Sequence, residues 1–199
     1  MRLHHVLITG CALLAGLPAT VFADWMLDNA QSNVNFLSVK NAAVTEIHQF
    51  RELSGSVSER GDVIVSIDLT SVDTLIPVRD ERMNKMLFET ELFPVATLMA
   101  QVDKAALVAL KPGQTMSLEA EVDLDLHGKK QLLVANLQVV GLENGGILVN
   151  TIKPVVIDSK NFALDKGVEA LQNIANLNSI ATSVPVNVRL TFVQNTKKE

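Results

Sequence analysis

Strict alternation of apolar and polar side chains between residues 115 and 126 constrains this chain more than any other feature. Every even position from Met116 to Leu126 is apolar, and every odd position from Thr115 to Asp125 is polar or acidic. Successive side chains of a β-strand point to opposite faces, so this period of two predicts a long strand with one buried face. We expect the acidic side chains at 119–125 to form its solvated face.

Two further segments repeat this alternation, and several others follow it less regularly. Apolar side chains occupy every second position in Val184–Phe192 and in Val63–Leu69. The remaining predicted strands lie at 32–39, 53–57, 95–102, 131–140 and 147–157, with an edge or bulge position at Pro154. Predicted hairpin turns lie at 111–113, 127–128 and 144–146, each of which contains glycine.

Two short segments depart from the strand pattern. Pro77–Phe88 and Asp165–Asn176 space their apolar residues along one face of a helix, and we predict a helix in each. About eight antiparallel strands with one or two short helices predict an all-β domain, either a barrel or a sandwich. An eight-stranded barrel is filled by side chains or holds one small ligand, and the alternation alone does not distinguish these outcomes.

The first 23 residues have the composition of a secretory signal. Arg2 precedes the uncharged segment Val6–Val21, and Val21-Phe22-Ala23 has the small residues of a cleavage site. We therefore expect a cleaved signal at 1–23, a periplasmic domain at 24–193 and a polar tail at 194–199. An uncleaved anchor remains an alternative. A lipidated Cys11 is another, since Ile8-Thr9-Gly10-Cys11 is similar to a lipoprotein signal.

Composition argues against several functional classes. A net charge of −5 and only eight aromatic residues, one Trp and seven Phe, disfavour nucleic-acid binding. The single cysteine lies in the predicted signal, and His48 and His127 alone are too few for a zinc site. No nucleophile-elbow, phosphate-loop or dinucleotide motif is present. We expect no catalytic residue, no metal, no cofactor and no stable membrane insertion, and we interpret His127 as a solvated turn histidine.

Four short sequence blocks occur in order along the predicted domain. They are Gln31–Phe36; a central block of Ile67-Asp68, Ser71–Thr74, Arg79-Asp80, Phe88 and Phe93-Pro94; Leu124–Lys129; and Ile157–Phe162. In residue type and spacing these blocks resemble the YceI-like family of secreted, lipocalin-like barrels. The resemblance extends over roughly Asp24 to Phe192, although Gln31 stands where the family usually has histidine.

The resemblance implies an antiparallel lipocalin-like barrel that holds a long amphiphile in an apolar cavity. Members of the family hold polyisoprenoid chains, isoprenoid quinones or related lipids. The expected function is therefore non-enzymatic sequestration or transport of such a lipid in the periplasm. A chain of about twenty carbons would contribute on the order of 10 kcal/mol on burial, at about 0.8 kcal/mol per methylene and before association costs.

Eight residues are candidates for contacting this ligand. They are Phe36, Arg79, Asp80, Met83, Leu87, Phe88, Phe93 and Phe162. Arg79 either binds a polar head group or forms a structural salt bridge. Trp25 is expected to close one end of the barrel. Two other hypotheses remain: a binding or assembly protein with a filled barrel, and an enzyme acting on lipid through His127 or Arg79. The sequence also leaves open whether the protein forms a homodimer.

Overall fold

The computed structural model describes residues 23–195. The cleavage of the predicted signal and the lipidation of Cys11 concern residues outside this range, as does most of the polar tail. Within 23–195, no helix is both long and apolar enough to cross a membrane.

Twelve strands form one closed antiparallel sheet across the described residues. They are β1 (Ala23–Leu27), β2 (Asn33–Lys40), β3 (Val44–Phe50), β4 (Leu53–Ser58), β5 (Asp62–Asp68), β6 (Val72–Asp73), β7 (Val95–Gln101), β8 (Thr115–Leu126), β9 (Lys129–Gly141), β10 (Ile147–Thr151), β11 (Val155–Asp158) and β12 (Ser183–Gln194). Only a short break separates the two strands in each of four consecutive pairs: β1 and β2, β3 and β4, β5 and β6, and β10 and β11. When each pair is taken as one run, the twelve strands make eight longer runs. Each run pairs with its neighbour in sequence, and β12 pairs with β1 and β2 to close the barrel. The predicted eight-stranded barrel is therefore confirmed.

The alternation in β8 has the expected structural consequence. Ala120 and Leu124 are buried, whereas Glu119, Glu121 and Asp123 are exposed on the outer face. β8 pairs with β9 along its whole length, from Thr115 opposite Val140 to Leu126 opposite Lys129. The two strands meet at the predicted turn, where His127 and Gly128 have φ angles of 53° and 69°. Two consecutive positive φ angles are characteristic of a type I′ hairpin, whose twist matches that of the strands.

The two predicted helices are present. Helix α1 (Pro77–Arg82) continues as a π-helical turn over Met83–Leu87, and its first residue is a proline, which needs no hydrogen bond there. A further helix, α2 (Lys104–Val108), was not predicted, because five residues are too few for a helical period to be recognised. Consequently the predicted turn at 111–113 follows a helix and does not join two strands directly. The second predicted helix is α3 (Asp165–Ile174).

Different elements lie at the two ends of the barrel. At one end Trp25 is 2% exposed, and its indole Nε1 donates to the carbonyl of Gly145 at 2.8 Å, as expected for a residue that closes this end. At the other end α3 packs against the π-helical turn. Gly167 permits this approach, because a Cβ there would lie 2.6 Å from the carbonyl oxygen of Met86 and 2.7 Å from the Cα of Leu87.

Candidate functional site

An apolar cavity of about 270 Å³ occupies the interior of the barrel. All eight strand runs contribute to its wall, together with Leu107 of α2 and Val168 of α3. Of the lining residues only Thr151 and Ser159 are polar, and none is charged. The barrel is therefore hollow, which removes the hypothesis of a filled interior.

Small side chains account for much of this space. Ala120 of β8 and Ala135 of β9 are directly opposite one another, and both line the cavity, as does Ala96 of β7. Around them, inward-facing residues such as Leu118 and Leu133 are only partly buried, since they border the cavity. An apolar cavity of about 150 Å³ admits benzene, so by proportion this one accommodates a chain of roughly ten carbons.

The aromatic and aliphatic candidates divide between the cavity wall and its surroundings. Phe36, Leu87 and Phe88 line the cavity. Met83 and Phe162 are buried, at 6% and 1% exposure, but lie in the surrounding core and not among the lining residues. The sixth apolar candidate is Phe93, whose ring lies outside the cavity wall and packs 4.4 Å, centroid to centroid, from the ring of His127.

Arg79 contacts protein groups and does not line the cavity. Its Nη1 lies 2.7 Å from Oε2 of Glu46 on β3, and its Nη2 donates to the carbonyl of Thr74 at 2.7 Å. Lys40 Nζ also lies 2.7 Å from the same Glu46 oxygen. Burial raises the pKa of Glu46, but the hydrogen bonds and charges of Lys40 and Arg79 outweigh this and hold its pKa below the usual value. In this structure Arg79 therefore forms a salt bridge.

Asp80 and Asp73 hold the loop that leads into α1. Asp80 Oδ1 accepts hydrogen bonds from the backbone N–H and the hydroxyl of Thr74. Asp73 accepts hydrogen bonds from the backbone N–H of Leu75 and from the side chains of Gln49 and Arg51, and these bonds lower its pKa to about 2. The central sequence block thus fixes the position of α1 over the barrel end, and Asp80 too lies outside the cavity wall.

His48 is a buried residue whose environment is not evident from the sequence. It is 4% exposed, and its ring makes an edge contact with Phe36 at 5.4 Å between centroids. Desolvation and the nearby positive charge of Arg79 lower its pKa. The strand β3 was not predicted because its polar and apolar side chains lie on the opposite faces from those expected. Glu46 is half-buried and His48 is buried, whereas Ile47 is 67% exposed.

The interpretation of His127 as solvated is wrong. Its side chain is only 9% exposed, since both ring nitrogens contact other elements. Nδ1 lies 3.1 Å from the carbonyl oxygen of Phe162, and Nε2 lies 2.9 Å from Oε2 of Glu89. His127 thus connects the β8–β9 turn to the segment after the π-helical turn, and it does not line the cavity. No group of three or more His, Cys, Asp or Glu in residues 23–195 is arranged to hold a metal.

Comparison with known proteins gives a consistent result. The YceI-like domain profile matches residues 25–192. A polyisoprenoid binding domain from Saccharophagus degradans, implicated in plant cell wall breakdown, is 39% identical, with a TM-score of 0.85 over 87% of this chain and 99% of its own. No curated protein sequence matches the chain significantly.

More distant solved structures share the fold alone. BcnA of Burkholderia cenocepacia is 20% identical, with a TM-score of 0.61 over 83% of this chain and 98% of its own. A YceI protein of Campylobacter jejuni is 13% identical, with a TM-score of 0.51 over 72% of this chain and 82% of its own.

Proposed function

The chain belongs to the YceI-like domain family, and on that premise we propose that it sequesters or carries a long-chain isoprenoid lipid in its barrel cavity. The observation that carries this proposal is the cavity wall, which is apolar except for Thr151 and Ser159 and has no charged residue. Such a wall favours a hydrocarbon chain over a polar metabolite, because each desolvated polar group without a partner would reduce the binding free energy. The polyisoprenoid binding domain of Saccharophagus degradans, with its similar fold and 39% identity, supports the same class of ligand.

The size of the cavity bears on how such a lipid is held. About ten buried carbons contribute roughly 8 kcal/mol at about 0.8 kcal/mol each. This gain competes with an association cost of about 4 kcal/mol or more. A chain much longer than ten carbons must therefore extend past one end of the cavity or displace the elements there. The π-helical turn and α3 are elements that such a chain could displace, because Leu87 of the turn and Val168 of α3 line the cavity.

The side chains around the cavity support binding without catalysis. The cavity wall contains no titratable group. The two residues considered for chemistry are both engaged: His127 contacts Phe162 and Glu89, and Arg79 contacts Glu46 and Thr74. An apolar chain cannot cross an aqueous compartment unaided, so a protein with an apolar cavity can serve as its carrier. The signal-like sequence at 1–23 supports a periplasmic site of action.

Lipid extraction tests this proposal directly. The protein is purified without detergent, and its organic extract is analysed by mass spectrometry. We expect one isoprenoid quinone, polyprenol or related amphiphile to co-purify in near-stoichiometric amount. An empty protein that also fails to take up added quinone or polyprenol would contradict the proposal.

A further inference from the structure

Four consecutive residues at the start of α1 are both apolar and exposed to solvent. They are Leu75, Ile76, Pro77 and Val78, and Leu75 has 82% of its surface exposed. We call residues 75–78 the apolar loop. An exposed apolar run of this length is unfavourable in water and is expected only where it has a function. None of the four residues lines the cavity, so lipid binding inside the barrel does not account for them.

Leu75 also has a backbone conformation that disfavours leucine. Its φ angle is 63°, in the left-handed region that glycine and asparagine adopt more readily than bulky residues. Hydrogen bonds hold this conformation: the N–H of Leu75 donates to Oδ1 of Asp73 at 3.0 Å, and the neighbouring Thr74 is bonded to Arg79 and Asp80. Because its side chain is 82% exposed, Leu75 gains little packing energy in return. A strained and exposed leucine indicates a contact outside this chain.

The polar backbone groups of the apolar loop are largely engaged within the protein. The carbonyl oxygen of Ile76 accepts from the N–H groups of Arg79 and Asp80, at 2.8 and 3.1 Å. The N–H of Leu75 is bonded as described, and Pro77 has none. This surface can therefore leave water at little cost in hydrogen bonds, which suits contact with an apolar phase. The loop contains no Trp, Tyr or Arg, the side chains that dominate protein–protein interfaces.

The charges next to the apolar loop differ in balance from those of the whole chain. Residues 79–85 contain three basic side chains, those of Arg79, Arg82 and Lys85, and two acidic ones, those of Asp80 and Glu81. Their balance is thus 3 − 2 = +1, whereas the chain has a net charge of −5. A positive segment beside an apolar loop is complementary to anionic lipid head groups. The same lipids would repel the exposed acidic face of β8 and so orient the protein with the loop towards them.

The apolar loop lies at the barrel end that α1, the π-helical turn and α3 cover. We propose that it docks the protein on an anionic lipid bilayer, so that lipid passes between the bilayer and the cavity at this end. Leu75 and Ile76 enter the head-group boundary, and Leu87 of the π-helical turn lines the adjacent end of the cavity. The contact is reversible, since four residues are far fewer than the roughly twenty that span a bilayer. The transfer of lipid rests on the proposed function, whereas the docking is measured without any cargo.

Flotation with lipid vesicles tests the docking. Vesicles of equal parts phosphatidylcholine and phosphatidylglycerol are mixed with the wild type, Leu75→Asn and Leu132→Asn. Leu132 is an exposed residue of β9 opposite Asp123, so Leu132→Asn makes the same chemical change away from the loop. We expect Leu75→Asn to bind the vesicles about tenfold more weakly, the size of one partly inserted leucine, and Leu132→Asn to bind like the wild type.

A charge variant tests the contribution of the anionic head groups. Lys85 is exposed and follows the apolar loop by seven residues, counted from Val78. Lys85→Glu should weaken binding to the mixed vesicles by about fivefold or more, since one basic side chain near an anionic surface contributes about that factor. Its weaker binding to vesicles of phosphatidylcholine alone should equal that of the wild type. Equal losses on both kinds of vesicle would contradict the role of the anionic lipid.

Stability and cargo separate docking from a structural role. Asparagine adopts a positive φ readily, so Leu75→Asn should unfold at the wild-type temperature or above it. It should co-purify with the wild-type amount of lipid but transfer that lipid between vesicles more slowly. A lower melting temperature for Leu75→Asn, or equal vesicle binding by Leu75→Asn and the wild type, would overturn the inference.

Two further outcomes distinguish the docking from its alternatives. Wild-type dimers that Leu75→Asn dissociates, with no binding to vesicles, would overturn the inference and assign the apolar loop to a second copy of the chain. Vesicle binding that depends on Leu75, by a protein that holds no lipid, would support the docking and contradict the proposed function.

Discussion

Replacing Ala135 by phenylalanine should abolish lipid binding while preserving the fold. Ala135 is 7% exposed, faces the cavity from β9 and lies opposite Ala120. The substitution adds a six-carbon ring, and a ring of that size occupies an apolar cavity of about 150 Å³. That is more than half of the 270 Å³ that the barrel encloses.

The expected magnitudes follow from this volume. About six of the roughly ten buried ligand carbons are displaced, which removes about 5 kcal/mol of binding free energy at about 0.8 kcal/mol per carbon. Even if the lipid recovers half of this by rearranging, the affinity falls by about fiftyfold. For folding, filling about 150 Å³ contributes up to about 3.5 kcal/mol, and strain from added atoms offsets about 1–3 kcal/mol of it. The variant should therefore be as stable as the wild type or more so.

The neighbouring residue provides a matched control. Val134 lies on the same strand, points outward and is 52% exposed, so Val134→Phe adds an aromatic ring without entering the cavity. Both variants and the wild type are purified without detergent, and the lipid in each extract is quantified alongside the free energy of unfolding in urea. We expect Val134→Phe to retain the wild-type amount of lipid and Ala135→Phe to retain little. A folded Ala135→Phe protein with a full complement of lipid would refute a binding site inside the barrel.

Three further substitutions test the elements around the cavity. The pKa of Asp73 is about 2 in the folded protein, below its ordinary value of 3.8, so its contribution to stability is present above about pH 4 and is lost as the pH falls towards 2. In urea titrations, Asp73→Asn should lower the free energy of unfolding by about 2 kcal/mol at pH 7 and by much less at pH 2. An equal loss at both pH values would contradict this origin of the stabilisation. Burial and the charge of Arg79 lower the pKa of His48 below 6.5, with Glu46 acting in the opposite direction, so the unfolded state binds a proton more readily and stability should fall between pH 7 and pH 5. His48→Leu should reduce that fall, and an unchanged pH dependence would show that other groups cause it. Gly167→Ala should lower the melting temperature, because its Cβ would meet backbone atoms of Met86 and Leu87; an unchanged temperature would mean that α3 does not need this close approach.

Much of the barrel follows from the sequence because its signals are local. The alternation in β8 specifies both the strand and its buried face, and the His127-Gly128 turn specifies the hairpin with β9. The helices at Pro77 and Asp165 are likewise recognisable from the spacing of their apolar residues. Closure of the barrel, by contrast, depends on pairing between β12 and β1, which are far apart in the chain. The family resemblance supplied that part of the prediction.

The site was harder to anticipate because burial is a tertiary property. Phe36 and Phe162 each end one of the sequence blocks that resemble the family, yet the first lines the cavity and the second belongs to the surrounding core. His127 has polar neighbours in sequence but is covered by contacts with Phe162 and Glu89, which are distant in the chain.

Native mass spectrometry of the protein purified without detergent tests the central claim most directly. If the barrel holds one isoprenoid lipid, the spectrum should contain a species heavier than the chain by the mass of a single lipid, and gentle activation should release that lipid. The same species should be absent from Ala135→Phe and present in Val134→Phe. A spectrum of bare protein in all three, unchanged after incubation with isoprenoid quinone or polyprenol, would contradict the claim.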